Sequence, residues 1–204
     1  MPKITDVSYQ SKNKNRCNVF VDDEFFAGIS LETVIKCRIK VGQEVDVLEL
    51  ERLLIENDRS EALSKAADYV SKSLKTKRQV KDYLLKKGYS EQTVWYCVDK
   101  LKEYSYIDDE EYSRRYIESV SKNQGKKLVE YKLMQKGVKK EDIASAYSQV
   151  EIDFNANTKL VLEKYLKNKE INKETIAKAY RYLVGKGFNY DDINSAISEY
   201  DKGD

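Results

Sequence analysis

Three glycines, each preceded by lysine, constrain this 204-residue chain more than any other feature. Gly88, Gly137 and Gly187 lie 49 and 50 residues apart, behind Lys87, Lys136 and Lys186. Four positions before each glycine stands a leucine (Leu84, Leu133, Leu183), and one position after it an apolar residue (Tyr89, Val138, Phe188). Further on, the apolar pattern returns in register as Val94/Val98/Leu101, Ile143/Tyr147/Val150 and Ile193/Ile197/Tyr200. Matched copies at a nearly constant period specify a tandem array, in which each unit buries its apolar face on its own helices and its neighbours. Glycine suits a helix end that must reverse at once, because it takes positive φ at little cost.

Before the repeats, Ile4–Tyr9, Cys17–Val21 and Phe25–Ile29 read as strands, the second with a period of two. The polar run Ser11-Lys12-Asn13-Lys14-Asn15 reads as the break after the first strand, and Asp22-Asp23-Glu24 as a tight turn. A short helix over Leu31–Cys37 follows with Ser30 as its N-cap, and Val41-Gly42 reads as a turn. Helical periodicity begins at Asp46 with the stripe Val47, Leu50, Leu53, Leu54. Each copy then reads as helix, helix, glycine turn, helix. The expected helices are Arg59–Ser71, one opened by a Thr76–Gln79 capping box and closed at Gly88, and Ser90–Leu101. Asp108–Val120, Gly125–Lys136 and Lys140–Val150 form the second set, and Thr158–Lys167, Asn172–Lys186 and Tyr190–Tyr200 the third. The expected fold is mainly α: three three-helix repeats behind a small antiparallel β element. Its expected divisions are 1–57, 58–107, 108–155 and 156–204.

Composition narrows the chemistry. The chain has no histidine, so imidazole acid–base catalysis, a His-dependent triad and His metal ligation are excluded. Cys17, Cys37 and Cys97 are widely spaced without a C-x-x-C pair and read as buried or half-buried thiols. No phosphate-binding glycine loop is present. An enzyme is not expected, nor a cofactor or a metal. The N-terminus lacks the apolar core of a signal peptide and no apolar run approaches a membrane span, so a cytoplasmic monomer without membrane contact is expected.

Charge is patterned. Residues 1–57 hold eight Lys/Arg against ten Asp/Glu, and the remainder 29 against 25. In the first repeat Lys72, Lys75, Lys77, Arg78, Lys81, Lys86 and Lys87 are opposed only by Asp82. The second repeat places Lys122, Lys126, Lys127, Lys132, Lys136, Lys139 and Lys140 at the same location, opposed only by Glu130. The third is more mixed. Stacked repeats would align these as a basic band on helices whose cores need none of them, fit for phosphates or an acidic protein groove. The third helices, such as Ser90–Leu101, start with acids rather than Arg or Asn, which argues against a sequence-reading helix-turn-helix.

The run Thr76-Lys77-Arg78-Gln79-Val80…Leu84-Leu85-Lys86-Lys87-Gly88-Tyr89, continued by Tyr106-Ile107-Asp108-Asp109-Glu110-Glu111-Tyr112, resembles the RecX family of bacterial regulators of the RecA recombinase. Gly125-Lys126-Lys127-Leu128…Leu133-Met134-Gln135-Lys136-Gly137-Val138 is similar to that family's second repeat. The resemblance implies a non-enzymatic modulator. It would lie in the groove of the RecA–DNA filament and suppress ATP hydrolysis, strand exchange and co-protease activity. The basic positions that match the family's repeats are Lys77, Arg78, Lys81, Lys126 and Lys127, and Lys132 joins them as a filament or DNA contact. The rival reading is a general DNA-binding repeat protein that acts by competing for DNA.

Overall fold

A helix that ends in glycine leaves its last carbonyls open, and here the same turn closes them three times. The computed structural model describes residues 1–11 and 13–200. Gly88, Gly137 and Gly187 have φ of 90°, 85° and 83°. Their N–H groups donate to Leu85, Met134 and Val184 carbonyls, each at 2.9 Å. The next residue in each case reaches back to the leucine carbonyl: Tyr89 to Leu84, Val138 to Leu133, Phe188 to Leu183, at 3.3, 3.1 and 3.3 Å. This is the Schellman pattern with its hydrophobic contact, so the periodic leucine and the post-glycine residue are one device. All six of those side chains are buried.

By Cα proximity the chain forms two compact units, residues 1–74 with 79–107, and residues 75–78 with the chain from Asp108 onward. In the first unit, strands β1 (Ile4–Gln10), β2 (Asn13–Val21) and β3 (Glu24–Ser30) make an antiparallel sheet in the order β1-β2-β3. Val19 faces Val7 on one side and Ala27 on the other. Asp22 and Asp23, both at positive φ, make the tight second turn. The polar run expected to break the chain does so less than its composition suggested. Lys12 lies outside the described residues, and Asn13–Asn15 already belong to β2, because a ladder is held by backbone groups and their polar side chains stay in solvent. Helix α1 (Leu31–Lys36) is capped by Ser30, which accepts from the Thr33 N–H at 3.0 Å.

Helix α2 (Val47–Ser71) corrects the expectation of a connecting helix followed by a new one near Arg59: it is continuous over 25 residues. Its apolar positions serve two clusters in turn. Leu54 packs with the sheet residues Ile4, Val19, Val21 and Ile29. About two to four turns later Ala62, Ala66 and Val70 pack with Val80 and Leu84 of α3 (Lys77–Lys86) and Val94, Val98 and Leu101 of α4 (Glu91–Glu103). A stripe that changes partner along the helix gives no single face to read from periodicity.

Buried polar groups of the first unit fix that junction. Arg16, 5% exposed, donates to the Gly28 carbonyl at 2.6 Å and stands 3.6 Å from Asp58, which also accepts from the Thr93 hydroxyl at 3.0 Å. Burial pushes the Asp58 carboxyl up, against the opposing pull of Arg16 and Thr93. Beside it, Glu61 accepts from Lys65, Ser30 and, at 3.0 Å, from the Tyr89 hydroxyl. Burial alone would raise the Glu61 pKa, but these bonds outweigh it and hold the group below its ordinary 4.5. Cys17 and Cys97 are buried and Cys37 half-buried, with burial pushing the Cys97 thiol up to about 11.

The second unit contains α5 (Asp109–Val120), α6 (Lys126–Gln135), α7 (Lys140–Ser148), α8 (Phe154–Leu166), α9 (Lys173–Gly185) and α10 (Tyr190–Ser198). Helix α8 begins four residues earlier than the expected Thr158, because Asp153 caps it by accepting from the Ala156 N–H at 2.9 Å. Helix α9 has 13 residues against ten in α3 and α6, the extra turn read from sequence. Among the described residues no helix is long and apolar enough to cross a membrane.

Two stability outcomes follow from these contacts. A Cβ on Gly137 would strike the Arg78 side chain as well as force a left-handed conformation, so Gly137→Val is expected to lose about 2 kcal/mol or more in chemical denaturation. Gly185 is helical with open space around it, so Gly185→Ala is expected to gain roughly 0.5 kcal/mol in the same assay. Equal effects at the two sites would refute this account. Glu61 has a folded pKa below its unfolded value, so folding favours its ionised form. Its contribution is in place above about pH 4.5 and is lost as pH falls through the folded value. Glu61→Gln should therefore be less stable than the parent at pH 7, with the gap closing in acid melts; a pH-independent gap would contradict the assignment.

Candidate functional site

The starts of the second helices carry the basic residues, and those starts are built by the next repeat. The α3 start belongs to the second unit through such bonds. Thr76, wholly buried, donates its hydroxyl proton to the Lys136 carbonyl at 2.7 Å. The Lys77 N–H, an open donor at a helix start, binds Asp109 Oδ1 at 2.8 Å. The Lys77 ammonium stands 4.0 Å from the other oxygen of that carboxylate, whose side chain is 4% exposed. Burial raises the Asp109 pKa, and the Lys77 N–H and charge oppose it. Arg78 lies along Gly137.

At the α6 start the Gly125 N–H donates to the Lys186 carbonyl at 2.9 Å and the Lys127 N–H to the Gly187 carbonyl at 3.2 Å. Gly125 has ordinary negative φ, yet a Cβ there would run into the Gly187 backbone. The sequence showed Gly125 only as a helix start, because close approach leaves no local signature. In the first unit the Lys87 carbonyl of the first glycine turn lies 3.5 Å from Asn13 Nδ2, and the Arg16 stem covers Gly88. Helix α9 differs: Asn172 caps it with its own side chain, accepting from the Thr175 N–H at 2.9 Å.

These contacts correct the expectation that the fold needs none of the basic residues. Lys77 supplies the countercharge to a buried carboxylate and Arg78 packs on a glycine turn, so both are tied to the structure. Three of the others are held on aromatic rings. Lys81 stands 4.6 Å from the Trp95 ring centre and 3.9 Å from Glu91. Lys126 lies 4.9 Å over Tyr147 and 3.9 Å from Glu130, and Lys127 lies 4.6 Å over Tyr190. Lys132 donates to Gln124 Oε1 at 2.9 Å, and six residues along α6 it points about 240° round the helix from Lys126. Lys126 and Lys127 thus share the α6 start, while Lys132 turns elsewhere.

A ring face under an ammonium contributes about 0.5–1 kcal/mol at an exposed site and restricts a long side chain. The arrangement therefore holds partly fixed cations at the surface. Of the ring partners, Tyr147 reads from the sequence as part of an apolar stripe and Tyr190 as a helix start, while Trp95 carries no local signal for this role. The buried Tyr147 hydroxyl has no hydrogen-bond partner among the described residues, and burial raises its pKa.

Four family models match the chain in order. That of the regulatory protein RecX N-terminal domain covers residues 2–46, and those of the first, second and third RecX three-helix domains cover 62–101, 108–146 and 153–197. Regulatory protein RecX of Clostridium tetani is 36% identical over 202 residues, covering 97% of this chain and 94% of that protein. Its counterpart in Clostridium botulinum is 35% identical over 204 residues, covering 98% and 96%. A crystal structure of regulatory protein RecX matches with a TM-score of 0.68 at 22% identity, over 98% of this chain and all of that one. RecX from Lactobacillus salivarius matches at 0.65 and 24% identity, over 72% of this chain and 98% of its own. At those identities the two structures speak for the fold alone. The four domains in order and the relatives above 30% identity show that this chain belongs to the RecX family of regulatory proteins.

Proposed function

We propose that this chain is a negative regulator of RecA that binds the RecA–DNA filament in its groove and suppresses its ATPase, recombinase and co-protease activities. It would act as a cytoplasmic monomer and without a cofactor. The observation that carries the reading is the match to all four RecX domains in order, along nearly the whole chain. The ring-held lysines support it, since they offer cations to an anionic surface without serving as core. Lys81, Lys126 and Lys127 are the proposed contacts; Lys77, Arg78 and Lys132 contribute to the same charge, the first two with a structural duty as well.

RecA ATPase on single-stranded DNA tests the reading. Substoichiometric protein is expected to suppress the turnover. Unchanged ATPase, together with tight naked-DNA binding that falls steeply with salt, would instead establish a DNA competitor. The triple reversal Lys81→Glu, Lys126→Glu, Lys127→Glu is expected to keep the parent's helicity by circular dichroism. It should weaken filament binding by about tenfold, which is ~1.4 kcal/mol. Full inhibition by the triple variant would remove these lysines from the contact.

A further inference from the structure

The three second helices are equivalent in register but not in chemistry. Eleven, ten and seven residues before the glycine, the first repeat has Lys77, Arg78 and Lys81, and the second has Lys126, Lys127 and Glu130. The third has Ile176, Ala177 and Tyr180. Where its predecessors present charge, α9 presents hydrocarbon. Ala177 is exposed, and Ile176 and Tyr180 are only half-buried against the core of their own repeat. With Ile197 of α10 they floor a shallow groove of about 390 Å³, flanked by Lys173 and Arg181.

The groove is suited to one class of occupant. Its lining is apolar, and Arg181 donates through Nε to the Ala177 carbonyl at 3.3 Å. Among the described residues neither Arg181 nor Lys173 pairs with a carboxylate. The Tyr180 ring lies parallel to Tyr190, 6.5 Å between centres. A sugar–phosphate backbone would leave the apolar floor in contact with polar groups. An apolar side chain beside an acid satisfies both floor and rim.

We propose that this face of the third repeat seats a projecting apolar side chain of a protein partner, with a partner carboxylate at Lys173 or Arg181. The contact rests on the regulatory reading above for the identity of that partner. Charge on the first two repeats would then govern encounter, and this apolar seat would govern how long the complex lasts.

The decisive variant restores the pattern of the other repeats: Ile176→Lys with Ala177→Lys. Equivalent positions on α6 already hold lysines, and melting checks that α9 tolerates them. The probe is RecA assembled on single-stranded DNA with a non-hydrolysable nucleotide. If the seat is apolar, the variant leaves the filament about tenfold faster or more despite its two added positive charges. If contact there is electrostatic, the same variant binds as well or longer, and the proposal falls. A photo-crosslinking phenylalanine analogue in place of Tyr180 supplies the second readout. Adducts with RecA protein are expected; adducts with DNA or with a second copy of this chain, or none, overturn the assignment. A parent that does not bind the filament sinks the regulatory reading and this contact together, whereas binding by the parent with an indifferent variant sinks this contact alone.

Discussion

The carbonyl of the lysine before each repeat glycine organises the rest of the structure. A Schellman turn satisfies the carbonyls behind it but leaves that one pointing outward. Here Lys136 and Lys186 offer it to the start of a preceding second helix, and Lys87 to the side chain of Asn13. The starts of such helices are short of acceptors for their N–H groups, and the incoming turn and its neighbours supply them. Open donors meet open acceptors. Glycine is required twice over, for its positive φ and because Arg16, Arg78 or Leu128 lies against the place a Cβ would occupy.

Much of this was legible in the chain. Gly88, Gly137 and Gly187, with their leucines, revealed the repeats because a left-handed residue and a buried helix position both leave strong local signatures. Ser30, Ser90 and Asp108 announced their helices for the same reason. What escaped depends on partners remote in sequence. Helix α2 looked divisible since its buried face serves the sheet first and the repeat core later. Asp109 read as one acid among several, but only the fold brings Lys77 to it. Gly125 carries no turn signal, because its need is for space rather than φ.

The basic residues illustrate how one side chain serves two levels of organisation. A lysine that neutralises a buried carboxylate and a lysine resting on a ring look alike in composition. Removing the first leaves an uncompensated charge in a medium that solvates it poorly, and removing the second costs little stability. Lys77 belongs with the former and Lys126 and Lys127 with the latter. Loss of activity on charge reversal is therefore informative at the ring-held positions and ambiguous at the buried pair.

The self-capped start of α9 gives the second unit a direction in time. Helix α9 satisfies its own first donors through Asn172, whereas the α6 start borrows the Lys186 and Gly187 carbonyls. A ribosome delivers the chain from its N-terminus, so the α6 start leaves the exit tunnel some sixty residues ahead of the groups that complete it. Until they arrive, the Gly125 and Lys127 N–H groups must be hydrated. The α6 start is therefore complete only once the third repeat has formed its turn, so a later-made segment finishes an earlier one.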